Sequence, residues 1–266
     1  MNIPSDSYHC AKRWPLISSL IHRAEASSTS DLARDVVEQR SLSLPLLVRA
    51  DLQTSGRGQA QKTWWSDSGS LTFTLVLNPL SHSLSASHES RLALATAVAI
   101  IEALAPYVPP TLSLGIRWPN DVEAKGLKLA GILPERLETP SGPRLLIGIG
   151  LNITTRLDLA PTEIRRMAVS LADLANKQQD LPDIDTLLAA ILANLEKTLP
   201  RLAGEDPALA SRWAELDTLR NQPIEVQMGS RILSGIGVGI DEQGALLLAT
   251  RSETLQIFGG QVLRMP

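Results

Sequence analysis

The stretches LGIRWPNDVEAKGLKLAGIL, residues 114–133, and LLIGIGLNI, residues 145–153, decide how this chain folds. In the first, residues 114–118 and 127–133 have the apolar texture of strands and flank the turn Pro119-Asn120-Asp121. The second is an almost unbroken apolar run, a buried strand punctuated by Gly148 and Gly150. Glycine inside such a run often marks close approach of another group to the backbone. These strands follow one another with no helical pattern between them. The expected class is therefore α+β, a mixed β-sheet flanked by helices, and not a strict βαβ alternation.

Working outward, residues 20–24, 46–48 and 71–77 read as further strands, with Pro45 ending the turn before the second. Ser27-Ser28-Thr29-Ser30-Asp31 opens a helix running to roughly Arg40. Small hydroxyl side chains cap free N–H groups there, and Asp31 suits the positive end of the helix dipole. Residues 88–105 show a helical pattern closed by Pro106, Pro109 and Pro110, and more helices are expected at about 162–176, 183–199 and 206–218. From Pro223 the texture changes to short strands, 224–228, 231–240, 245–249 and 254–258, separated by Gly or Asp turns. That tail reads as a small barrel or sandwich. The expected division is a domain over 1–219 and a second over 220–266.

Composition narrows the function. The chain has 266 residues, 44% of them hydrophobic, and a formal charge of −3, so no broad footprint for nucleic acid is expected. Cys10 is the single cysteine, which excludes an internal disulfide and fits a reducing cytoplasm. Residues 1–20 hold no unbroken apolar segment of a secretory signal, and the apolar stretch 92–105 is too short to span a bilayer. His9, His22, His82 and His88 have no metal-ligand spacing with Cys10, so no zinc site is expected.

The segment Gly56-Arg57-Gly58-Gln59-Ala60-Gln61-Lys62-Thr63 differs from a phosphate-binding P-loop at one position, Gln61, where that loop requires glycine. Trp64-Trp65-Ser66 and Gly69 follow, a poor opening for the helix that a P-loop needs. Taken alone, the segment is a surface hairpin with incidental basic residues.

Taken together, four motifs say more. They are Gln53-Thr54-Ser55-Gly56-Arg57-Gly58 with Lys62 and Trp64-Trp65; Arg117-Trp118-Pro119-Asn120-Asp121 with Lys128-Leu129-Ala130-Gly131-Ile132-Leu133; Ile147-Gly148-Ile149-Gly150-Leu151-Asn152-Ile153; and Ser211-Arg212-Trp213, Asn221-Gln222-Pro223 and Gly239-Ile240-Asp241-Glu242-Gln243-Gly244-Ala245-Leu246-Leu247. In this order, from about residue 20 to the end, the chain resembles the biotin protein ligases. The resemblance implies a catalytic domain followed by a small SH3-like barrel. It implies ATP-dependent formation of biotinyl-5′-AMP and transfer of biotin to a lysine of a biotin carboxyl carrier protein. ATP, Mg²⁺ and biotin are the expected ligands, and a carboxylase biotin domain the expected partner. Related lipoate ligases and a non-catalytic biotin or adenylate binder are the rivals.

Joining a carboxylate to ATP brings two anions together, and cations must neutralise them. By resemblance Lys128 and Arg57 supply that charge, and Asp121 either orients Lys128 or helps to place Mg²⁺. Ser28, Thr29, Ser30 and Gln53 are implied around the polar ureido group, although Ser28 and Thr29 serve equally as helix caps. Gly56, Arg57 and Gly58 close over the acyl tail. Trp64 packs over the adenylate or helps close the loop, and Trp65 is the better core residue. Asn120, Gly131, Gly148, Gly150 and Asn152 complete the implied site. The family carries an arginine where Gln59 stands, and that arginine helps retain the activated intermediate. Gln59 therefore implies looser retention or compensation by Lys62. Only about 20 residues precede the matched region, too few for the DNA-binding domain of some members, so a monofunctional ligase is expected. Pairing into a homodimer is common in the family.

Overall fold

The structure, a computed structural model, describes residues 8–10, 14–39, 42–59, 62–175 and 181–263. Arg40, Gln61 and the side chains of His9 and Cys10 lie outside the described residues. The first sheet contains β1 (Tyr8–Cys10), β2 (Ser19–Ala26), β3 (Leu46–Gln53), β6 (Ser70–Leu77), β7 (Leu114–Arg117), β8 (Asp121–Ala124), β9 (Leu127–Thr139) and β10 (Gly142–Asn152). Two further strands, β4 (Gly56–Arg57) and β5 (Thr63–Trp64), form a separate hairpin. The order across the sheet is β1-β2-β3-β6-β10-β9-β8-β7. β2 and β3 run parallel and the other pairs antiparallel, so the sheet is mixed as expected.

Alternation along the central strands makes two unlike faces. Phe73, Leu75 and Leu77 of β6 and Ile147, Ile149 and Leu151 of β10 are buried on one face. α2 (Ala86–Leu104) and α5 (Ile184–Ala203) cover it. α2 is apolar nearly all round because it is buried nearly all round. α5 instead presents a stripe, Leu187, Leu188, Ile191, Leu192, Leu195, Leu199 and Leu202, and Asp183 caps its start by accepting from the Thr186 amide at 2.8 Å. On the opposite face α1 (Thr29–Gln39) buries Ala33 and Val36 against Ile21, Leu46, Val48, Val76 and Leu146. α1 covers only part of that face.

Several boundaries differ from the sequence reading. Asp121 does not end the turn but begins β8, paired with Arg117 on one side and Gly131 on the other. β9 continues through Pro134 to Thr139. Residues 162–176 are not one helix but two single turns, α3 (Thr162–Arg165) and α4 (Leu171–Leu174). Between them the backbone leaves helical geometry to bond β9: the Lys128 amide donates to the Met167 carbonyl at 2.8 Å, and the Val169 amide to the Lys128 carbonyl at 3.0 Å. Ser170 and Asp173 then start α4 with a reciprocal capping box. α6 spans Pro207–Glu215, shorter than the helix expected there.

The second sheet holds β11 (Pro223–Met228), β12 (Arg231–Ile240), β13 (Leu246–Ala249), β14 (Thr254–Ile257) and β15 (Gln261–Leu263), the last unforeseen. All pairs are antiparallel in the order β14-β13-β12-β11-β15. Among the described residues no ladder joins β14 to β15, so this module is an open five-stranded sheet and not a closed barrel. Its Ile224, Val226, Ile240, Leu246 and Leu248 join the same core that lies under α2. Three side chains of the larger unit also grip one turn of it. Trp213 donates to the Asp241 carbonyl at 3.0 Å, Arg91 to that of Glu242 at 3.4 Å and Trp118 to that of Gly244 at 3.0 Å.

Candidate active site

The registers place the sequence-marked residues in rows across the face that α1 half covers. One row is Leu46–Val76–Leu146–Glu135, packed beneath α1 at its first three positions. The next is Val48–Thr74–Gly148–Leu133, at the opening of α1. The third is Ala50–Thr72–Gly150–Gly131–Asp121, beyond the helix. Successive same-face residues of a strand are about 7 Å apart, so the outer two rows are separated by about 13 Å. Helix cover ends as side chains shrink to Thr and Gly, and the groove that they leave is filled by the Trp64 indole.

Glycine is required in this groove for space. A methyl group on Gly150 would collide with the Trp64 indole, and one on Gly131 would lie 3.0 Å from Lys128 Nζ and 3.2 Å from the same indole. Trp64 thus lies across two facing strand glycines. Its indole N–H is buried and has no hydrogen-bond partner among the described residues. Trp65, expected in the core, is only half-buried.

At this end Lys128 Nζ stands 2.6 Å from Asp121 Oδ1 and 5.6 Å from the centre of the Trp64 ring. The ion pair and the ring face both favour an ammonium there. Two asparagines hold the frame. Asn120 Nδ2 donates to the Ile132 carbonyl at 2.5 Å and its own carbonyl accepts from the Ile132 amide, which fixes the turn before Asp121. Asn152 Nδ2 donates to the Val169 carbonyl at 3.2 Å, on the segment that bonds the Lys128 backbone. Lys62 joins the cluster electrostatically: burial, then the charge of Lys128, pushes its amine below the usual lysine range, with Asp121 opposing.

At the opening of α1, Ser28, Thr29 and Ser30 are all buried. Ser28 Oγ is only a weak cap, 3.4 Å from the Asp31 amide. Thr29 donates both its amide and its hydroxyl to Gln53 Oε1, at 2.7 and 3.1 Å. Thr74 donates to the Thr29 hydroxyl at 3.0 Å, and Ser30 lies 3.0 Å from Thr74. Since each hydroxyl has one proton, the donors run Ser30 to Thr74 to Thr29 to Gln53. Ser30 Oγ is left to accept. Gly148 sits beneath, where a methyl group would lie 2.7 Å from Ser30 Oγ.

The loop over the groove is the β4–β5 hairpin, closed by the Gly58 amide on the Lys62 carbonyl at 2.7 Å. Lys62 leads into a strand and not a helix, which removes the P-loop reading on geometry. Gln59 is exposed at the turn. Arg57 meets two carboxylates: Nη1 lies 2.6 Å from Asp31 and Nη2 2.5 Å from Glu135. Burial works against its charge, but the hydrogen bonds of Asp31 and Glu135 outweigh this and raise its pKa above the ordinary value. The structure therefore brings Lys128, Asp121, Gly131, Gly150 and Trp64 together, and separately Thr29, Ser30, Gln53 and Gly148. It does not bring Arg57 to Lys128. Thr72, Thr74, Asp31 and Glu135 were not marked by sequence. The alternation Leu71-Thr72-Phe73-Thr74-Leu75 was the available signal for the first two.

Residues 23–152 match the biotin/lipoate A/B protein ligase family, and residues 220–263 match the biotin protein ligase C-terminal domain. The biotin–[acetyl-CoA-carboxylase] ligase of Mycobacterium tuberculosis is 30% identical over 218 residues, spanning 81% of this chain and 77% of that protein. That of Paracoccus denitrificans is 33% identical over 205 residues, spanning 76% and 82%. Among solved structures, the biotin protein ligase of Aquifex aeolicus in complex with biotin and ATP has a TM-score of 0.76 at 25% identity, covering 92% of this chain and 97% of that one.

Proposed function

The chain belongs to the biotin protein ligase family, and from that premise we propose how its groove performs the reaction. It is an ATP-dependent biotin–protein ligase. A carboxylate oxygen of biotin attacks the α-phosphorus of ATP, the bond to the β-phosphate breaks, and pyrophosphate leaves. The ε-amine of an acceptor lysine then attacks the acyl carbon of biotinyl-5′-AMP. AMP departs with the bonding electrons, and the amine gives up a proton as the amide forms. The acceptor is the biotin domain of a carboxylase, and the reaction is placed in the cytoplasm.

The observation that carries this reading is the Lys128 ammonium held over Gly131 by Asp121 and Trp64. A compact cation there neutralises the carboxylate and the α-phosphate as they meet. Lys62 adds a second charge on the same side, coupled electrostatically to Lys128 and Asp121. The unpartnered Trp64 N–H suits an oxygen of the adenylate. ATP would bring Mg²⁺ on its phosphates, and Asp121, beside Lys128, is the carboxylate that would help to hold it there.

The other end fits a urea. Such a group offers two N–H donors and one carbonyl acceptor. Ser30 Oγ accepts an N–H, and the amide nitrogen of Gln53 donates to the carbonyl. Asn120 and Asn152, implied as ligand contacts, are assigned instead to holding Asp121 and the Lys128 strand. Residues 1–219 are assigned to catalysis and 220–266 to the C-terminal module, a division supported by the change of sheet at Pro223.

The test is biotin-dependent exchange of pyrophosphate into ATP, followed by transfer to a carboxylase biotin domain. Lys128→Ala is expected to lower exchange by about 10²–10³-fold, the scale of one preorganised charge contact. Exchange driven by lipoate in place of biotin, or none from folded wild type, overturns the assignment.

A further inference from the structure

We infer that Arg57 is a positioning residue and Glu135 its anchor, the pair fastening the hairpin loop over the groove. The kinetic part of this inference rests on the ligase reading above. Arg57 is on the loop strand β4, Glu135 on β9 at the far end of the row beneath α1, and Asp31 and Arg34 on α1 itself. Glu135 Oε1 accepts from Arg57 Nη2 at 2.5 Å and from Arg34 Nη2 at 3.3 Å, while Asp31 Oδ1 holds Arg57 Nη1 at 2.6 Å. Three elements remote in sequence therefore meet at one guanidinium.

Position along the strand separates this knot from the chemistry. Glu135 lies four residues from Gly131, about 13 Å on the same face, and Lys128 Nζ stands over Gly131. An arginine pinned at Glu135 cannot share a phosphate with Lys128 while it stays there. What it can do is close the hairpin. Gly56 and Arg57 pair with Trp64 and Thr63, so holding Arg57 also sets the indole that roofs the glycine row. Glu135 is the weightier partner, its side chain 18% exposed against 48% for Asp31. Its Oε2 is buried without a partner among the described residues, so the carboxylate relies on its arginines for compensation.

Glu135→Gln keeps the shape and removes the charge. A loop held less firmly raises the biotin KM about tenfold, the scale of one charge-assisted hydrogen bond, and lowers kcat less than about threefold. Arg57→Ala gives the same split, and the double variant is no worse than Arg57→Ala, because the two act as a unit. Glu135→Asp restores part of the KM. An unchanged KM in Glu135→Gln, or an Arg57→Ala variant that loses kcat about a hundredfold at constant KM, overturns the inference and returns Arg57 to the reacting phosphate.

A second arm needs no activity. Trypsin cleavage after Lys62, followed by mass spectrometry on ligand-free protein, is faster in Glu135→Gln than in wild type at matched Tm. Equal rates refute the anchor. Should wild type show no exchange, the ligase reading fails alone and the cleavage rates still decide this one.

Discussion

Leu71, Phe73 and Leu75 of β6 point into a dry core, while Thr72 and Thr74 between them point into a groove. β10 repeats the contrast, with Ile147, Ile149 and Leu151 on one side and Gly148 and Gly150 on the other. The two faces share a backbone, a hydrogen-bond ladder and neighbouring residues, yet one is sealed by α2 and α5 and the other is only half covered by α1. A strand of period two can be structural and functional at once, because the demands fall on alternate residues. The core face sets where the strands lie. The groove face packs against α1 and Trp64, and keeps its residues small enough for the indole to approach.

That division can be broken from either side. The largest effect belongs to the sealed face: Leu151→Ala removes a fully buried side chain and costs about 2–5 kcal/mol in denaturant unfolding, with any surviving folded protein keeping its biotin KM. Gly150→Ala, one residue away, is the opposite case. Its methyl group displaces the Trp64 indole, so biotin-dependent exchange falls steeply, while stability drops by about 1–3 kcal/mol, the usual cost of overpacking. Equal losses of stability and activity from both changes would abolish the distinction between the faces. Gln59→Arg sharpens it on the loop side, where a charge returned to the turn slows release of the adenylate about tenfold in a filter-retention chase and reduces labelling of bystander lysines.

The smallest effect is at Lys62. Its folded-state pKa is lowered, so the unfolded chain binds that proton more tightly and the protonated amine costs folded stability. The cost is present at neutral pH and fades as the pH climbs from the lowered value towards 10.5, the ordinary lysine value. Lys62→Met should therefore melt slightly above wild type at pH 7 and lose that advantage in strongly alkaline buffer, while its exchange rate is lower throughout. A variant that melts lower at pH 7 contradicts the lowered amine pKa.

Lys128, Asp121, Gln53 and the glycines of β10 were legible because each sits in a short motif whose order along the chain carried meaning. The mixed sheet and the change of texture at Pro223 were legible from local pattern. What escaped was set by register. That Gly150 faces Gly131 depends on how β10 slides against β9, which the two-residue turn Pro140-Ser141 sets and which the sequence reading did not place. Glu135 reads as an ordinary charge on a long strand until α1 and the hairpin arrive above it. The sequence offers Arg57 as a cation for the reacting anions, and the carboxylates that it meets lie 26 and 78 residues away, beyond any local pattern. Residues 162–176 looked helical because their composition permits it, yet the backbone of Lys128 offered Met167 and Val169 better partners.

Arg91, Trp118 and Trp213 hold their turn through its carbonyls. Asp241 braces it from within, its Oδ1 accepting the Gln243 and Ala245 amides at 3.0 and 2.8 Å, and Gly244 takes a φ of +78°. Glu242 and Gln243 expose their side chains. The joint between the modules thus inspects a contour and ignores most of the letters that spell it. Lineages can rewrite the outward positions of this turn at little cost, whereas a change at Asp241 or Gly244 must be matched by its indole partners. Trp118 lies three residues before Asp121, so drift at this seam would reach the groove as a displaced carboxylate.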